Sequence, residues 1–293
     1  MKKIDIHAHT RMYVGIPRMG TNSTFATPEQ LIEHYKKLGV EKAVILPGVG
    51  IEYSDHIQSN EEVIALTEKY PDWFYWFCNI DPRMGKNRPD TDLSYFLNYY
   101  KKLGAKGVGE VCSNMYFDDP YMENLFYHCE KCNMPVLFHI GPQIGGCYGI
   151  VDEIGLYRLE KELSKFPNLI FIGHSQPFWA EISSDVTENN RNEYPKGKVT
   201  EGRLVELMRK YPNLCGDLSA NSGYNAVSRD PEFGYAFIEE FKERIFFGLD
   251  ICSPENKREL SSWLDKAYQN KKISEDAYVK VCRGNVLRLL GEI

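Results

Sequence analysis

The sequence predicts an α/β fold, a single (β/α)8 TIM barrel, and two observations carry that prediction. The first is a recurring unit in which a basic residue ends a helix, Gly or Pro makes a turn, and a short apolar run follows. Lys37-Leu38-Gly39-Val40 precedes Ala43-Val44-Ile45-Leu46, and Lys69-Tyr70-Pro71-Asp72 precedes Trp73-Phe74-Tyr75-Trp76-Phe77. The basic residue returns at Lys102, Lys131, Lys165 and Lys210. A cation in the last turn complements the helix dipole, and Gly or Pro then stops the helix. The second observation is that several runs are apolar at consecutive positions, as in Leu169-Ile170-Phe171-Ile172. Parallel strands buried on both faces read this way.

Eight such runs are expected as strands: 3–9, 43–48, 73–80, 105–111, 135–141, 168–174, 213–219 and 244–250. Strands and helices alternating at a period of about 30 imply right-handed βαβ units, and eight of them fill a barrel of about 250 residues. The 293-residue chain is therefore expected to be one domain over 1–293, with a C-terminal helix over 274–291. An open doubly wound sheet is the competing architecture, but no Gly-x-Gly-x-x-Gly follows the first strand. Helix starts are expected at the capping boxes Thr27-Pro28-Glu29-Gln30 and Ser59-Asn60-Glu61-Glu62, and where Pro follows a capping residue at Asp119, Asp230 and Ser253. Turns entering strands are short. Loops leaving them are long, notably 10–27, 48–58, 141–151 and 175–199, and in barrels these loops build the active site. The polar 175–199 segment reads either as a lid or as a solvated loop.

The balance of 35 basic against 41 acidic residues, a net charge of −6 with no basic stripe, argues against nucleic acid as a partner. No apolar run is long enough to span a bilayer. Met1-Lys2-Lys3 leads directly into a strand, and the eight cysteines are scattered irregularly. The expectation is a reduced, cytoplasmic enzyme acting on a small molecule, without membrane or nucleic-acid partners.

Residues capable of holding a metal cluster at the predicted strand ends. In Lys3-Ile4-Asp5-Ile6-His7-Ala8-His9-Thr10, His7 and His9 sit two apart, so on a strand their α-carbons lie about 6.6–7 Å apart on one face. Two imidazoles at that spacing can close on one divalent cation, although a buried hydrogen-bonded pair would read the same. Glu110 closes the fourth strand, His139 the fifth, His174 the sixth and Asp250 the eighth. Six imidazole or carboxylate groups then converge on one barrel mouth, a donor mixture that suits Zn²⁺. A closed structural site takes four, so six point to chemistry.

These features resemble the amidohydrolase superfamily: His-x-His on strand one, His on strands five and six, Asp on strand eight. Ile172-Gly173-His174, Phe247-Gly248-Leu249-Asp250 and the terminal Arg283-Gly284-Asn285-Val286-Leu287-Arg288-Leu289-Leu290 are similar to the amidohydrolase-related branch of lactone hydrolases and metal-dependent decarboxylases. Glu110, in Gly-x-Gly-Glu, is instead similar to the bridging glutamate of TatD-type hydrolases. The resemblance implies one or two divalent metals per chain, zinc being expected. Two would put His7, His9 and Asp250 on one, His139 and His174 on the other, and Glu110 between. Glu110 could equally orient a ligating histidine. The resemblance also implies hydrolysis of a lactone, amide or ester by metal-activated water, with Asp250 as general base and His174, if not a ligand, on the developing oxyanion. A decarboxylase of a small carboxylated substrate is the alternative, and family analogy implies a homo-oligomer.

Around this mouth the loops offer Arg11, Arg18, Tyr53, His56, Tyr148, Gln176, Phe178 and Trp179. Arg11 and Arg18 could clamp a carboxylate, and the aromatics of Ser175-Gln176-Pro177-Phe178-Trp179 could wall the pocket. Cys112, Cys147 and Cys252 lie near strand ends. Cys129 and Cys132 read as helix packing, His34 and His128 as helix-face residues, and Asn285 as a turn-fixing residue.

Overall fold

The computed structural model describes residues 1–53 and 57–293. The strands are β1 (Lys3–Ala8), β2 (Val40–Ile45), β3 (Phe74–Trp76), β4 (Val108–Val111), β5 (Val136–Gly141), β6 (Ile150–Val151), β7 (Phe171–His174), β8 (Leu214–Asp217) and β9 (Ile245–Phe246). All pairings between them are parallel. The eight expected runs all appear, seven of them trimmed and the second shifted from 43–48 to Val40–Ile45, and β6 is an addition inside the 141–151 loop that pairs with β5 and bridges Tyr116 through Val151.

The ladder runs as two sheets, β1-β2-β3 and β4-β5-β7-β8-β9. The two seams between them carry isolated contacts, Cys78 with Val108 on one side and Ala8 with Ile251 on the other. Backbone bonds reinforce both: Cys78 N to Gly107 O at 3.0 Å, Ile6 N to Phe247 O at 3.0 Å and Asp250 N to His7 O at 2.9 Å. Asp5 ties the second seam further. Its Oδ1 accepts the N–H of His7 and of Leu249, each at 2.9 Å, and its Oδ2 accepts the Tyr35 hydroxyl at 2.8 Å.

Two apolar layers result. The barrel interior holds Ile4, Ile6, Leu46, Phe77, Leu137 and Ile172, closed below by Val286, Leu287 and Leu290. The outer layer, between strands and helices, takes the alternate residues, among them Val136, Phe138 and Phe171. The plug residues lie on the C-terminal helix, which runs Glu275–Val279, a π turn Lys280–Gly284, then Asn285–Leu290. Asn285 Nδ2 donates to Lys242 O and Ile245 O, both at 2.7 Å, anchoring that helix to the barrel floor. Among the described residues no helix is long and apolar enough to cross a membrane.

Helix starts follow the capping chemistry in part. Thr27 and Gln30 close a reciprocal box. Ser59 accepts from Glu62 N at 3.1 Å, but the Glu62 carboxylate turns instead to Met12 N and Gln58, so the second box is half made. Asp119 caps Pro120–Lys131, whereas Asp230 gives its carboxylate to Val199 N and Lys198 rather than to its own helix. No helix starts at Ser253-Pro254; the next begins at Leu260.

One outer helix carries a charge in an awkward place. Glu162, in Tyr157–Lys165, is fully buried and both carboxylate oxygens lack a hydrogen-bond partner. Burial, then the nearby Glu123, pushes its pKa from 4.5 up to about 7. A carboxyl whose folded pKa is raised stabilises the fold fully below the unfolded value and progressively less as pH rises through the folded one. Stability should therefore fall between about pH 4.5 and 7, with a cost on the order of 3 kcal/mol above that range. In urea melts across that interval, Glu162→Gln should flatten the decline. A variant whose pH dependence matches the parent would refute this.

Candidate metal centre

Regular alternation points some of the predicted donors into the barrel. Along β5, Leu137 faces the interior core and Phe138 the outer one, so His139 turns inward; along β7 the same parity carries Ile172 and His174. Strict alternation fails for the others, and register shifts bring them in. Ile4 and Ile6 belong to the interior layer but Ala8 to the outer one, and the β1–β2 pairing slips between Asp5 and Ala8. The slip reverses the facing, so His7, and His9 just past the strand end, turn inward. In β4, Val108 and Val111 both face outward across a slip between them, which turns Glu110 inward.

The donor atoms of His7 and His9 then meet each other, with Glu110 and Asp250 each within reach of both. His7 Nε2 lies 3.0 Å from His9 Nε2, 3.5 Å from Glu110 Oε2 and 3.8 Å from Asp250 Oδ1. His9 Nε2 lies 3.5 Å from Glu110 Oε2 and 3.6 Å from Asp250 Oδ1. Donors about 2.1 Å from a tetrahedral cation stand about 3.4 Å apart. The separations made by the two histidines, 3.0–3.8 Å, bracket that value. The second Glu110 oxygen, Oε1, accepts from His139 Nδ1 at 2.9 Å. Glu110 also has its carbonyl held, by the Tyr53 hydroxyl and by Asn79 Nδ2 at 2.6 Å.

The proton positions follow from what the other ring nitrogens touch. His9 Nδ1 is 2.9 Å from Leu46 O, a pure acceptor, so Nδ1 carries the hydrogen and Nε2 a lone pair. His7 Nδ1 lies 2.7 Å from Asp217 Oδ2, which fixes the same tautomer. Ser219 donates its hydroxyl to Asp217 Oδ2 at 2.8 Å and so must accept from His174 Nδ1 at 3.0 Å. His174 Nε2 is then also a lone pair, within reach of His7 and Glu110. Two lone pairs 3.0 Å apart repel unless a cation or proton lies between them. The donor set fits a divalent cation.

Charge gives the same answer. Burial lowers the basicity of His7, but Glu110, Asp217 and Asp250 more than offset it and hold His7 well above the usual imidazole range. Burial works against ionised Glu110 too, yet His7, His139 and His9 keep it well below the usual carboxylate range. Burial, then the His7 charge, depresses His174 to about 3, so it stays neutral. Three carboxylates around His7 amount to a surplus of negative charge awaiting a cation.

Asp217 and Ser219 are the functional residues that sequence reasoning missed. Asp217 is the last residue of β8, fully buried, and also accepts Ser219 N at 2.9 Å. The available signal was Gly216-Asp217-Leu218-Ser219 at the end of the expected seventh strand, an acid in an apolar run. Gly248 leaves it room: a Cβ there would run into Asp217 Oδ1 and Ser219 Cβ.

The centre opens into a cavity of about 470 Å³ that His9, Glu110, His139, His174 and Asp250 line together with Arg11, Arg18, Tyr53, Tyr148 and Cys252. His56 lies outside the described residues. The aromatics after His174 do not wall this cavity, contrary to the expectation from the sequence. They form the short helix Gln176–Ala180, where Phe178 and Trp179 are buried in the outer core. Phe178 packs where Gly173 lacks a side chain, and Trp179 Nε1 donates to Asp217 O at 2.9 Å. Gln176 faces the Tyr194 hydroxyl at 3.2 Å. Cys112 is buried beside Glu110, and Cys147 donates to Gln143 O. His34 binds Pro254 O, away from the centre.

A search of curated proteins finds no match to the sequence. Solved structures match over the full chain length. A 2,6-dihydroxybenzoate decarboxylase from Rhizobium is 15% identical with a TM-score of 0.63, covering 100% of this chain and 99% of the other. A probable 2-pyrone-4,6-dicarboxylic acid hydrolase from Acinetobacter baumannii, with citric acid bound, is 15% identical at 0.62, covering 99% and 100%. An amidohydrolase from Burkholderia multivorans with bound zinc is 11% identical at 0.63, covering 99% of each. These likenesses establish the fold. Residues 4–291 match the amidohydrolase family model, and the chain belongs to that family.

Proposed function

We propose that this protein is a metal-dependent hydrolase of a small organic substrate, a lactone, amide or ester, with Asp250 as general base. The observation that carries the reading is the His7–His9 pair flanked by Glu110 and Asp250 and opening on a cavity, in which Asp250 is the donor most open to it. Its side chain is 21% exposed, against 1% for His7 and 7% for Glu110. A divalent cation held by His7, His9, Glu110 Oε2 and Asp250, zinc being expected, would polarise the bond under attack and acidify a water. His139 orients Glu110 through Oε1 and so acts as a positioning residue. His174 presents a lone pair, which suits it as a fifth donor rather than as a hydrogen-bond donor to an oxyanion. Asp250, facing the cavity, takes the proton of the attacking water and returns it to the leaving group. All eight cysteines are free thiols, in keeping with a reducing cytoplasm.

The same cage would also serve a decarboxylase, and product analysis separates the two. Incubation with lactones, cyclic amides, aryl esters and hydroxylated benzoates should yield ring-opened or acid products without CO₂; CO₂ release as the only turnover would overturn hydrolysis. Asp250→Asn should lower turnover roughly 10²- to 10⁴-fold, with metal content measured alongside. Full turnover in the metal-loaded variant would remove Asp250 from the role of base.

Elemental analysis of protein purified without chelators should find about one divalent metal per chain. Asp217→Asn should weaken metal affinity roughly 10- to 100-fold, as loss of an orienting partner does elsewhere. Unchanged affinity in a chelator competition would mean that the His7 tautomer does not depend on Asp217.

A further inference from the structure

The end of β4 repeats the spacing seen at the end of β1. Val111 faces the outer core, so Glu110 before it and Cys112 after it project together to the inner side. The β4–β5 register sets Val111 beside Phe138, which brings Cys112 alongside His139 on the neighbouring strand. Glu110, Cys112 and His139 each offer one donor atom, and the three lie within 4.8 Å of one another. Glu110 Oε1 and His139 Nδ1 are 2.9 Å apart. A nitrogen and a sulfur on one tetrahedral ion stand about 3.6 Å apart, so the group has little distance to close.

This group lies on the opposite side of the Glu110 carboxylate from the histidine pair. Oε2 faces His7 and His9 at 3.5 Å, whereas Oε1 faces His139. The first centre presents nitrogen and oxygen alone, and the second group adds a thiol. Cys112 is buried against the Tyr53 hydroxyl and the Glu110 carboxylate. Burial, then the Glu110 charge, pushes that thiol well above its usual range. Without an ion the thiol keeps its proton and the Glu110–His139 bond holds the group closed, so the first position fills before it. The pairing of His139 with His174 expected for a second ion gives way here, because His174 groups with His7 and Glu110. Glu110 and His139 line the cavity, which gives an ion its entry from solvent.

We infer that Glu110 Oε1, Cys112 Sγ and His139 Nδ1 form a second metal position, weaker than the first and selective for thiophilic divalent ions, Zn²⁺ or Cd²⁺, over Mg²⁺ or Ca²⁺. Glu110 then bridges the two positions with one oxygen on each, which rests on the reading of Oε2 as a donor to the first ion. On binding, Cys112 gives its thiol proton to solvent and His139 moves its ring hydrogen from Nδ1 to Nε2. The protein thus holds one ion when metal is scarce and takes a second, through sulfur, when a thiophilic ion is in excess.

Titration of the full-length protein with Cd²⁺ tests this, starting from protein as purified with its resident metal measured. Added Cd²⁺ should bring about one further ion per chain, together with a thiolate-to-cadmium charge-transfer band in the ultraviolet, and equal Mg²⁺ should not compete. Cys112→Ser should keep the resident metal and lose both the further ion and the band. The double variant Cys147→Ser, Cys252→Ser removes the two thiols that are not fully buried and should retain both. X-ray absorption at cadmium in that double variant should find sulfur among the neighbours of the ion, a readout that stands even if Cys112→Ser does not fold. Uptake without the band overturns the inference, as does a band that survives in Cys112→Ser or vanishes in the double variant. No uptake beyond the resident metal overturns it as well. None of these results touches the first position, which fails instead if the as-purified protein holds no metal.

Discussion

The bond from His7 Nδ1 to Asp217 governs the centre. A buried carboxylate without exposed surface can only accept, and here it accepts from a ring, a hydroxyl and a backbone N–H. Those three bonds decide where the protons sit on His7 and, through Ser219, on His174. With the protons drawn to the outer nitrogens, the inner nitrogens are left as lone pairs converging on one point. The gap at Gly248, where any side chain would collide with Asp217 and Ser219, preserves that arrangement. The centre is thus organised from behind, by groups that never face the cavity.

Much of the architecture was legible because periodic helix ends with consecutive apolar runs mark a parallel α/β fold, and eight such units fill a barrel. The barrel strands, the Thr27 cap and the placement of donors at one mouth followed from local chemistry. Elsewhere, local chemistry was outcompeted. Ser253-Pro254 carries the composition of a helix start, yet its hydroxyl is taken by Glu255 and the chain continues irregularly. Phe178 and Trp179 read as pocket walls because they follow His174 directly. Tertiary packing claims them instead: small residues at Gly173 and Gly216 open slots in the sheet surface that their rings fill. Asp217 was overlooked because a lone acid in an apolar strand has no spacing partner, and its meaning appears only when β1 is beside β8 across 210 residues of sequence.

The inward turn of His7, His9 and Glu110 illustrates a different limit. Alternation along a regular strand would put His7 on the face of Asp5, which reaches outward to Tyr35. The slips in β1 and β4 reverse that parity within a few residues. They place a polar cluster immediately above an apolar floor of Ile6, Leu46 and Phe77. One barrel interior can then be dry core below and ionic site above, the change occurring over a single layer.

The seam between β1 and β9 has a consequence for how the molecule comes into being. The first donors are made at once and Glu110 follows, but Asp217, which orients His7, and Asp250, which completes the set, belong to the last third of the chain. At a synthesis rate of about 5–20 residues per second, His7 waits roughly 10–40 s for Asp217. During that interval the two histidines sit on an edge strand without the Asp217 and Asp250 carboxylates and with no floor beneath them, since the C-terminal plug follows later still. The nascent chain therefore has little means of retaining an ion, and the choice of metal falls to the finished barrel and the ions around it.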